Sequence, residues 1–590
     1  MLNDKAQSFF DRVEAGARKS KDLTGIANWV VQNTTDPRDP TRSWSFENHE
    51  FQKGILNDSH NHVVCRKCSQ VGLSEIVVRL QLALLAIYQS TTAIYTLPTT
   101  AFARQFTKSR IDPVIDQSPL LKDLVPSSND SSELKQLGTS FLYVRGSFGQ
   151  GAAISIPADI LINDEVDFSN QQALTTFSSR LGHAKLGDGK GIRREFSTPT
   201  VEGYGVSKTF SLSSQQHYMV KCDGCHTWQA LDFFDDVVIP GFDAPTIEFD
   251  KEDIGEHDIS KAFLACPGCR HRFTVANLND PDKRQWVAKR PDAAISGYQV
   301  YPFDVPTINP PSRTLEYLRD YERKADWVNF KVGLPYEDAE TSFLVERIRQ
   351  YSTASWTVPG QGAGSGCVMG VDVGKTSWVV IGKRVKHSTD ILYMERVKQD
   401  GNDYLHTRLQ QLIDWFGVIC CVVDAAPDFS TALKLVERNY SGRVYGNYYV
   451  RSLPAQMTSM QADPDKGTIK SIRTLTFDEL AQRVNTGSIQ WPKHTEMDLM
   501  ETHLGNMKRV SEMSNQGELV HRWVKTGDDH YAHALNYMGL ADKLVDKGST
   551  AHVTPTLPLA GTAKVSSEAL GEEDGDSHHP LLRQRRLMNG

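Results

Sequence analysis

Two blocks in which apolar, β-branched runs alternate with helix-like stretches, divided by the Pro/Gly/Ser segment WTVPGQGAGSGC at 356–367, constrain this chain more than any other feature. In residues 63–200 the runs HVVC, TAIYTL, SFLYV, ADILI and EFSTP are separated by helical patterns such as 74–88 and 101–115. That alternation predicts an α/β domain with a parallel sheet. The segment 356–367 has no periodicity and predicts a linker. Beyond it, CVMGVDVG, SWVVIGKRV and DILYMERV have meander spacing, VICCVVDA follows, and helical patterns begin at Phe429 and over 529–545. A second α/β domain is expected there. From Lys547 onward, small and polar residues, the acidic EEDGD and the basic RQRR offer no core, so a disordered tail is expected.

Composition excludes several classes. A net charge of −7, with 23% charged residues, is not that of a basic nucleic-acid coat, so any DNA contact must use local patches. The longest apolar run, 76–88, is interrupted by Arg79 and falls short of the ~20 residues a membrane helix needs. The N-terminus has mixed charge and no signal-like apolar stretch, which predicts a protein that stays in the cytoplasm where it is made. Nine cysteines in 590 residues do not make a disulfide scaffold.

The run Lys67-Cys-Ser-Gln-Val-Gly72-Leu-Ser74 follows a short apolar strand and precedes an amphipathic helix, the context of a phosphate loop. Its only lysine stands at the start, and Leu73 occupies the usual lysine position, so a plain strand-to-helix turn is the competing reading. Asp159-Ile-Leu-Ile-Asn-Asp164-Glu165 is an apolar strand ending in adjacent carboxylates. Asp164 suits Mg²⁺ held through water and Glu165 suits polarising an attacking water; a solvated acidic strand end is the alternative. Phe196-Ser-Thr198-Pro-Thr200 ends a strand in hydroxyls that suit sensing the γ-phosphate, or it is a simple Ser/Thr-Pro turn.

Taken in order, KCSQVGLS, AIYTLPT, LYVRGS, ILINDEVD and FSTPT resemble the ATPase half of the large terminase subunit of tailed bacteriophages, particularly the lambda-like type, which also shifts the lysine to the start of its loop. The resemblance implies that Lys67 contacts the β- and γ-phosphates of ATP in a loop with Gly72, that Ser74 ligates Mg²⁺, that Asp164 supports the metal, and that Glu165 is the catalytic carboxylate. It implies a coupling segment at 197–200, with Thr198, and an adenine contact at Phe51-Gln52. Arg145 is a candidate arginine finger, against a structural role in its strand.

Cys222-Asp-Gly-Cys225 and Cys266-Pro-Gly-Cys269 are two knuckles whose four thiolates suit one tetrahedral Zn²⁺ at about 2.3 Å. The 40 residues between Cys225 and Cys266 exceed the usual zinc-ribbon spacing, and with no open position the zinc is expected to be structural. Cys65 and Cys68, at the start of the phosphate loop, are expected in the core.

In the second block Asp372 (GVDVG) and Asp424 (VVDAAPD) each end an apolar strand, where a carboxylate is costly unless paired or metal-bound. Asp529, in Gly527-Asp-Asp-His-Tyr-Ala-His533, lies at a helix start and shares a face with His533; Asp528 is read as the helix cap, and Asp428 as another. Three carboxylates from two strands and a helix suit two Mg²⁺ or Mn²⁺ ions about 4 Å apart. GVDVG, VVDAAPD and DDHYAHALNY resemble the RNase H-like nuclease half of the same terminases, with His533 where many relatives carry a further acid. The resemblance extends over about 51–540.

The expected architecture is therefore an N-terminal segment (1–30), a P-loop ATPase parallel sheet (31–350) with a zinc-ribbon-like insertion (218–275), a linker (351–366), an RNase H-like nuclease domain (367–546) and a disordered tail (547–590). The implied function is ATP-driven translocation of double-stranded DNA into a procapsid, with a two-metal endonuclease that cuts the concatemer. The implied partners are the portal protein, a small terminase subunit and further copies of the chain in a ring at the portal vertex, in the host cytoplasm and away from membrane. The rival readings are a helicase-nuclease of DNA repair and a zinc-dependent DNA-binding or scaffold protein with degenerate sites.

Overall fold

The structure, a computed structural model, describes residues 25–126, 130–148, 156–338, 342–360, 366–398, 404–426, 430–435, 442–453, 459–514 and 516–546. The tail 547–590, residues 1–24 of the N-terminal segment, linker residues 361–365 and Asp428 lie outside the described residues. The chain divides into two compact units, 1–338 with 510–520 and 339–509 with 521–590.

The first unit is built on a ten-stranded sheet. Gln216–Lys221, Ser296–Val300, His62–Lys67, Ile192–Ser197, Ile160–Asp164, Thr92–Leu97 and Ser140–Gly146 follow one another across it, all parallel. The short strands Trp228–Gln229 and Leu134–Leu137 close its edges antiparallel, and Arg284–Ala288 adds to Gln216–Lys221. Ile160–Asp164 is buried throughout, as expected of a central strand of a two-sided sheet. Leu73–Ile87 is apolar almost all round and is buried over most of its length, with Arg79 sunk among its leucines, bonded to Glu75 and laid over the Trp44 ring. The helical pattern at 101–115 is divided into Thr100–Phe106, a π-turn Thr107–Ile111 and Asp112–Gln117, whose first turn carries Pro113. Proline has no N–H for the helical ladder, which accounts for the break there.

Between Gln216–Lys221 and Ser296–Val300 lies the cysteine-bearing segment, whose Phe233, Phe249 and Leu264 share an apolar core with Leu315 and Trp327 further along the chain.

The second unit holds an eight-stranded sheet. Cys367–Asp372, Thr376–Val385 and Ser388–Lys398 form an antiparallel meander. Val418–Asp424 then lies parallel to the other side of Cys367–Asp372, followed outward by Val444–Tyr449 and Thr468–Ser471. The helix His530–Asp546 crosses this sheet at Gly370, where a Cβ would overlap the Ala534 carbonyl and the Met538 amide. Glycine is therefore what lets helix and strand approach so closely. No helix among the described residues is long and apolar enough to cross a membrane.

Candidate active sites

In a parallel sheet ligands bind beyond the carboxyl ends of the strands. Three neighbouring strands of the first unit deliver their candidate residues to that edge: His62–Lys67 pairs with Ile192–Ser197 (Arg66 opposite Ser197), which pairs with Ile160–Asp164 (Phe196 opposite Asp164). Lys67, Asp164, Glu165 and the 197–200 segment are thereby brought together.

Lys67 Nζ lies 3.2 Å from Glu165 Oε1. Burial opposes its charge, but the Glu165 and Asp164 carboxylates outweigh that and leave the ammonium with a raised pKa. Asp164 is buried, accepts from Tyr95 Oη at 2.7 Å and from the Glu165 amide at 3.0 Å, and has its pKa pushed up by burial and by the neighbouring Glu165 charge. Glu165 itself is in the left-handed region, at φ 53° and ψ 53°. A non-glycine residue there stores strain that the surroundings must hold.

The loop after Lys67 is anchored before it can cradle anything. Cys68 N donates to Val300 O at 3.2 Å and Ser69 N to Phe330 O at 2.7 Å. Gln70 and Gly72 then both turn left-handed, and Gly72 forms the N-cap of Leu73–Ile87. The amides left for an anion are those at the helix start, around Leu73 and the half-buried Ser74, where the helix dipole also favours negative charge. Gln52 is fully buried and donates its Nε2 to Val71 O at 3.1 Å. It braces the loop from beneath, and a Cβ at Gly72 would come within 2.9 Å of that amide. Gln52 Oε1, Ser69 Oγ, Asn163 Nδ2 and Thr198 Oγ1 are buried without a partner. Such orphaned groups cost free energy, and several around one loop fit a site made to receive a polar ligand. Cys65 and Cys68 are core residues, as expected. Arg145 is tied to its own strand and neighbour, donating to Val144 O and Glu133 O, the geometry of a structural arginine.

Asp167, two residues beyond Glu165, was not singled out by the sequence. It is fully buried, and its carboxylate accepts from Thr200 N (2.8 Å), Thr200 Oγ1 (2.8 Å) and Val206 N (2.7 Å), while its own amide donates to Ser197 Oγ at 3.2 Å. Burial pushes its pKa up to about 7 against those hydrogen bonds. The carboxylate strand and the coupling segment are thus joined by one side chain. The available signal was the third acid in Asp164-Glu-Val-Asp167, hidden because a strand-end acid is usually solvated.

The cysteine knuckles are built alike. Cys222 N and Cys266 N close each turn by donating to Thr227 O and His271 O, while His226 N and Arg270 N donate back to Cys222 O and Cys266 O. The residue after each second cysteine, His226 or Arg270, is left-handed. All four Sγ atoms lie within 4.8 Å of one another, with Cys222 to Cys269 at 3.6 Å and Cys225 to Cys266 at 3.8 Å. A tetrahedron with about 2.3 Å metal–sulfur bonds has edges of about 3.8 Å, so the donor set fits zinc.

In the second unit Val371 pairs with Val423, which sets Asp372 and Asp424 side by side at the ends of adjacent parallel strands. The helix begins at His530, one residue later than expected, and His533 N donates to Asp529 O. The cap position therefore belongs to the backbone of Asp529, which corrects the reading of Asp528 as the cap; Asp528 lies outside the helix and is exposed, its carbonyl accepting from Asn506. Asp529 is buried, with His533 Nε2 at 3.3 Å and Arg473 Nη2 at 4.0 Å from its Oδ2. Burial would raise its pKa, but His533, Lys525 and Arg473 outweigh it and hold the carboxyl down at about 2. His533 is also 3.3 Å from Tyr449 Oη, so it orients Asp529. His530, quoted in the motif without a role, joins helix to strand: its Nδ1 is 2.8 Å from Asp372 Oδ2 and its ring stacks on Trp378. Asp372, Asp424 and Asp529 are not among the groups whose ligand atoms all lie within 4.8 Å. Two adjacent strand-end carboxylates with a third, held in its ionised form by its neighbours, still form a donor set suited to hard divalent cations.

No curated protein matches the chain. Among solved structures, it is similar to the large terminase of bacteriophage HK97 (10% identity, 88% of this chain and 99% of that one, TM-score 0.47). It is also similar to the large terminase of a thermophilic bacteriophage in complex with ATP-γ-S (10% identity, 84% and 98%, TM-score 0.29) and to the large terminase nuclease of thermophilic phage G20c with bound magnesium (16% identity, 35% and 98%, TM-score 0.24). The matching family model is that of the phage terminase large subunit gpA, ATPase domain, and it spans the loop, the carboxylate strand, the coupling segment and all four cysteines. The match covers residues 42–283 of the chain's 590.

Proposed function

We propose that the chain is the large terminase subunit of a tailed phage: an ATPase that drives double-stranded DNA into a procapsid, joined to a metal-dependent endonuclease that cuts the concatemer. The observation that carries this reading is the ion pair of Lys67 with Glu165 beside the buried Asp164, at the strand edge of a segment matching a terminase ATPase family. Lys67 would neutralise the β- and γ-phosphates, with the amides at the start of Leu73–Ile87 around them. Ser74 and Asp164 would hold Mg²⁺, which lowers the charge opposing attack on the γ-phosphate. Glu165, released from Lys67 when phosphate takes its place, is then positioned to orient the attacking water. Thr198 faces the same edge, and Asp167 carries any shift of the carboxylate turn to Thr200 and to the helix Gly205–Ser211.

In the second unit Asp372, Asp424 and Asp529 would hold two Mg²⁺ or Mn²⁺ ions, which supply an activated water and a stabilised leaving oxygen. His533 and Arg473 keep Asp529 ionised, and His530 orients Asp372. The four cysteines would hold a structural Zn²⁺. On this reading the chain works as a homo-oligomeric ring at the portal vertex in the host cytoplasm, with a small terminase subunit presenting the DNA.

A scaffold with degenerate sites would have no reason to retain a strained catalytic carboxylate paired to a buried lysine. The test is ATP turnover by the purified full chain with and without double-stranded DNA, run beside plasmid nicking in Mn²⁺. DNA-stimulated turnover together with nicking supports the proposal; absence of turnover under all conditions rejects it.

A further inference from the structure

The helix Val275–Asn279, shortly after the second knuckle, is joined both to the first knuckle and to the segment beside the phosphate loop. Asn277 Nδ2 donates to Asp223, the residue between Cys222 and Gly224, and Lys283 Nζ pairs with the same carboxylate at 2.9 Å. At the end of the helix Asn279 Nδ2 donates to Asn48 Oδ1 at 2.9 Å and to Thr307 Oγ1 at 3.1 Å. Asn48 is left-handed (φ 62°), and its neighbour His49 lies at the phosphate loop, where a Cβ on Gly72 would come within 3.4 Å of the His49 ring.

A second route runs through Trp286. The strand Arg284–Ala288 follows directly on Lys283 and pairs with Gln216–Lys221, which leads into Cys222. Arg284 is buried and donates to the carbonyl of Leu278, whose side chain shares an apolar core with Cys222 and Cys266, so the start of this strand is fixed to the cysteine segment. Trp286 Nε1 then donates to Phe51 O at 2.9 Å, and its ring lies against Gly54, where a Cβ would come within 2.6 Å of the indole Cδ1. Glycine at 54 is what lets the indole close on the helix Phe51–Leu56. Gln52, in the same helix, holds Val71 O of the loop. Both routes end at Gly72, whose missing Cβ faces His49 and Gln52 alike.

A loop whose amides must converge on one anion gains affinity when it is held in that shape beforehand. Four thiolates on one metal would lock the two knuckles together, and with them Asp223 and the helix that carries Asn277 and Asn279. We propose that the cysteine segment positions the nucleotide site, with Asn279 and Trp286 as positioning residues, so that zinc on the cysteines and nucleotide on the loop tighten one another's binding. This rests on the reading of 67–74 as an ATP site and of zinc as the metal of the four cysteines, and linkage makes the coupling equal in both directions.

The test uses the full chain with zinc and excess Mg²⁺, as wild type, Asn279→Ala, Trp286→Phe and the double variant. Phenylalanine keeps a ring against Tyr218 and Tyr298 and removes only the N–H donor, and Asn279 is half-buried at a helix end, so folding survives in each. One arm measures ADP affinity and, in ATP turnover, KM against kcat. The other measures zinc affinity by competition with a chromogenic chelator, with and without ADP; the double variant meets the same free ADP and so reports any zinc that the nucleotide itself removes. The expected result is ADP affinity lowered about 3- to 10-fold in each single variant, with KM for ATP raised, kcat unchanged and zinc content as in the wild type. In the wild type ADP should tighten zinc at least about 5-fold, an effect that shrinks in the double variant. ADP affinity unchanged in all three variants overturns the proposal, and so does a wild-type zinc affinity indifferent to ADP. A wild type that binds no ADP shows instead that the ATP-site reading fails, and protein without zinc shows that the zinc reading fails; either takes the proposal with it.

Discussion

Asp167 exemplifies how much of this site depends on single side chains. Three donors converge on its carboxylate, and Gly205, left-handed at φ 48°, leaves the space it fills, since a Cβ there would overlap it. Asp167→Asn keeps the shape but turns an NH₂ toward at least one of those donors, and is expected to cost about 1–3 kcal/mol. The pH dependence follows from its raised pKa. The folded state holds the proton more tightly than the unfolded chain, so the contribution of Asp167 to stability is fully present below its ordinary value of 3.8 and is lost as pH rises through about 7. The stability gap between wild type and Asp167→Asn should therefore widen as pH falls from about 7 toward 4; a gap that stays constant in denaturant titrations would show that Asp167 does not titrate in this range. The motif residues Lys67, Asp164 and Glu165 were legible because adjacent acids at an apolar strand end are conspicuous. Asp167, Tyr95 and His530 were not, because their roles come from what the fold sets opposite them: Thr200, Asp164 and Asp372.

At the scale of elements, strands and the helix on the second sheet were readable from apolar runs, but the one-residue difference at the start of His530–Asp546 was not. Adjacent Asp528 and Asp529 serve equally well as cap residues by type, and the contacts with His533, one turn on, and with the distant Arg473 decide which is drawn inward. The same helix depends on Gly370. Gly370→Val should push it off the sheet at a cost of about 3 kcal/mol and abolish DNA cutting while sparing ATP hydrolysis. Unchanged Mn²⁺-dependent nicking by this variant would refute the close packing. The knuckles make a second element-scale prediction. One zinc per chain should be found by elemental analysis, and Cys266→Ser should lower the melting temperature, because the free energy of a structural zinc site is largely folding free energy. Metal-free protein that melts as the wild type does would exclude zinc.

For the whole molecule, the alternation of runs revealed two α/β units, whereas the sheet orders were not accessible from spacing alone, since parallel neighbours are set by crossovers and not by adjacency in sequence. Ile192–Ser197 lies between the loop strand and the carboxylate strand although it follows both in the chain. That insertion is what places the segment 197–200 between the loop after Lys67 and the Asp164–Glu165 pair. The central claim is that one chain carries two separate engines, and it is tested most directly by measuring DNA-stimulated ATP turnover and Mn²⁺-dependent nicking in Glu165→Gln and Asp372→Ala of the full chain. The account predicts that Glu165→Gln binds nucleotide, turns over at least about 100-fold more slowly and still nicks DNA, while Asp372→Ala hydrolyses ATP at the wild-type rate and no longer cuts. Wild-type turnover by Glu165→Gln, or full-rate cutting by Asp372→Ala, would contradict it.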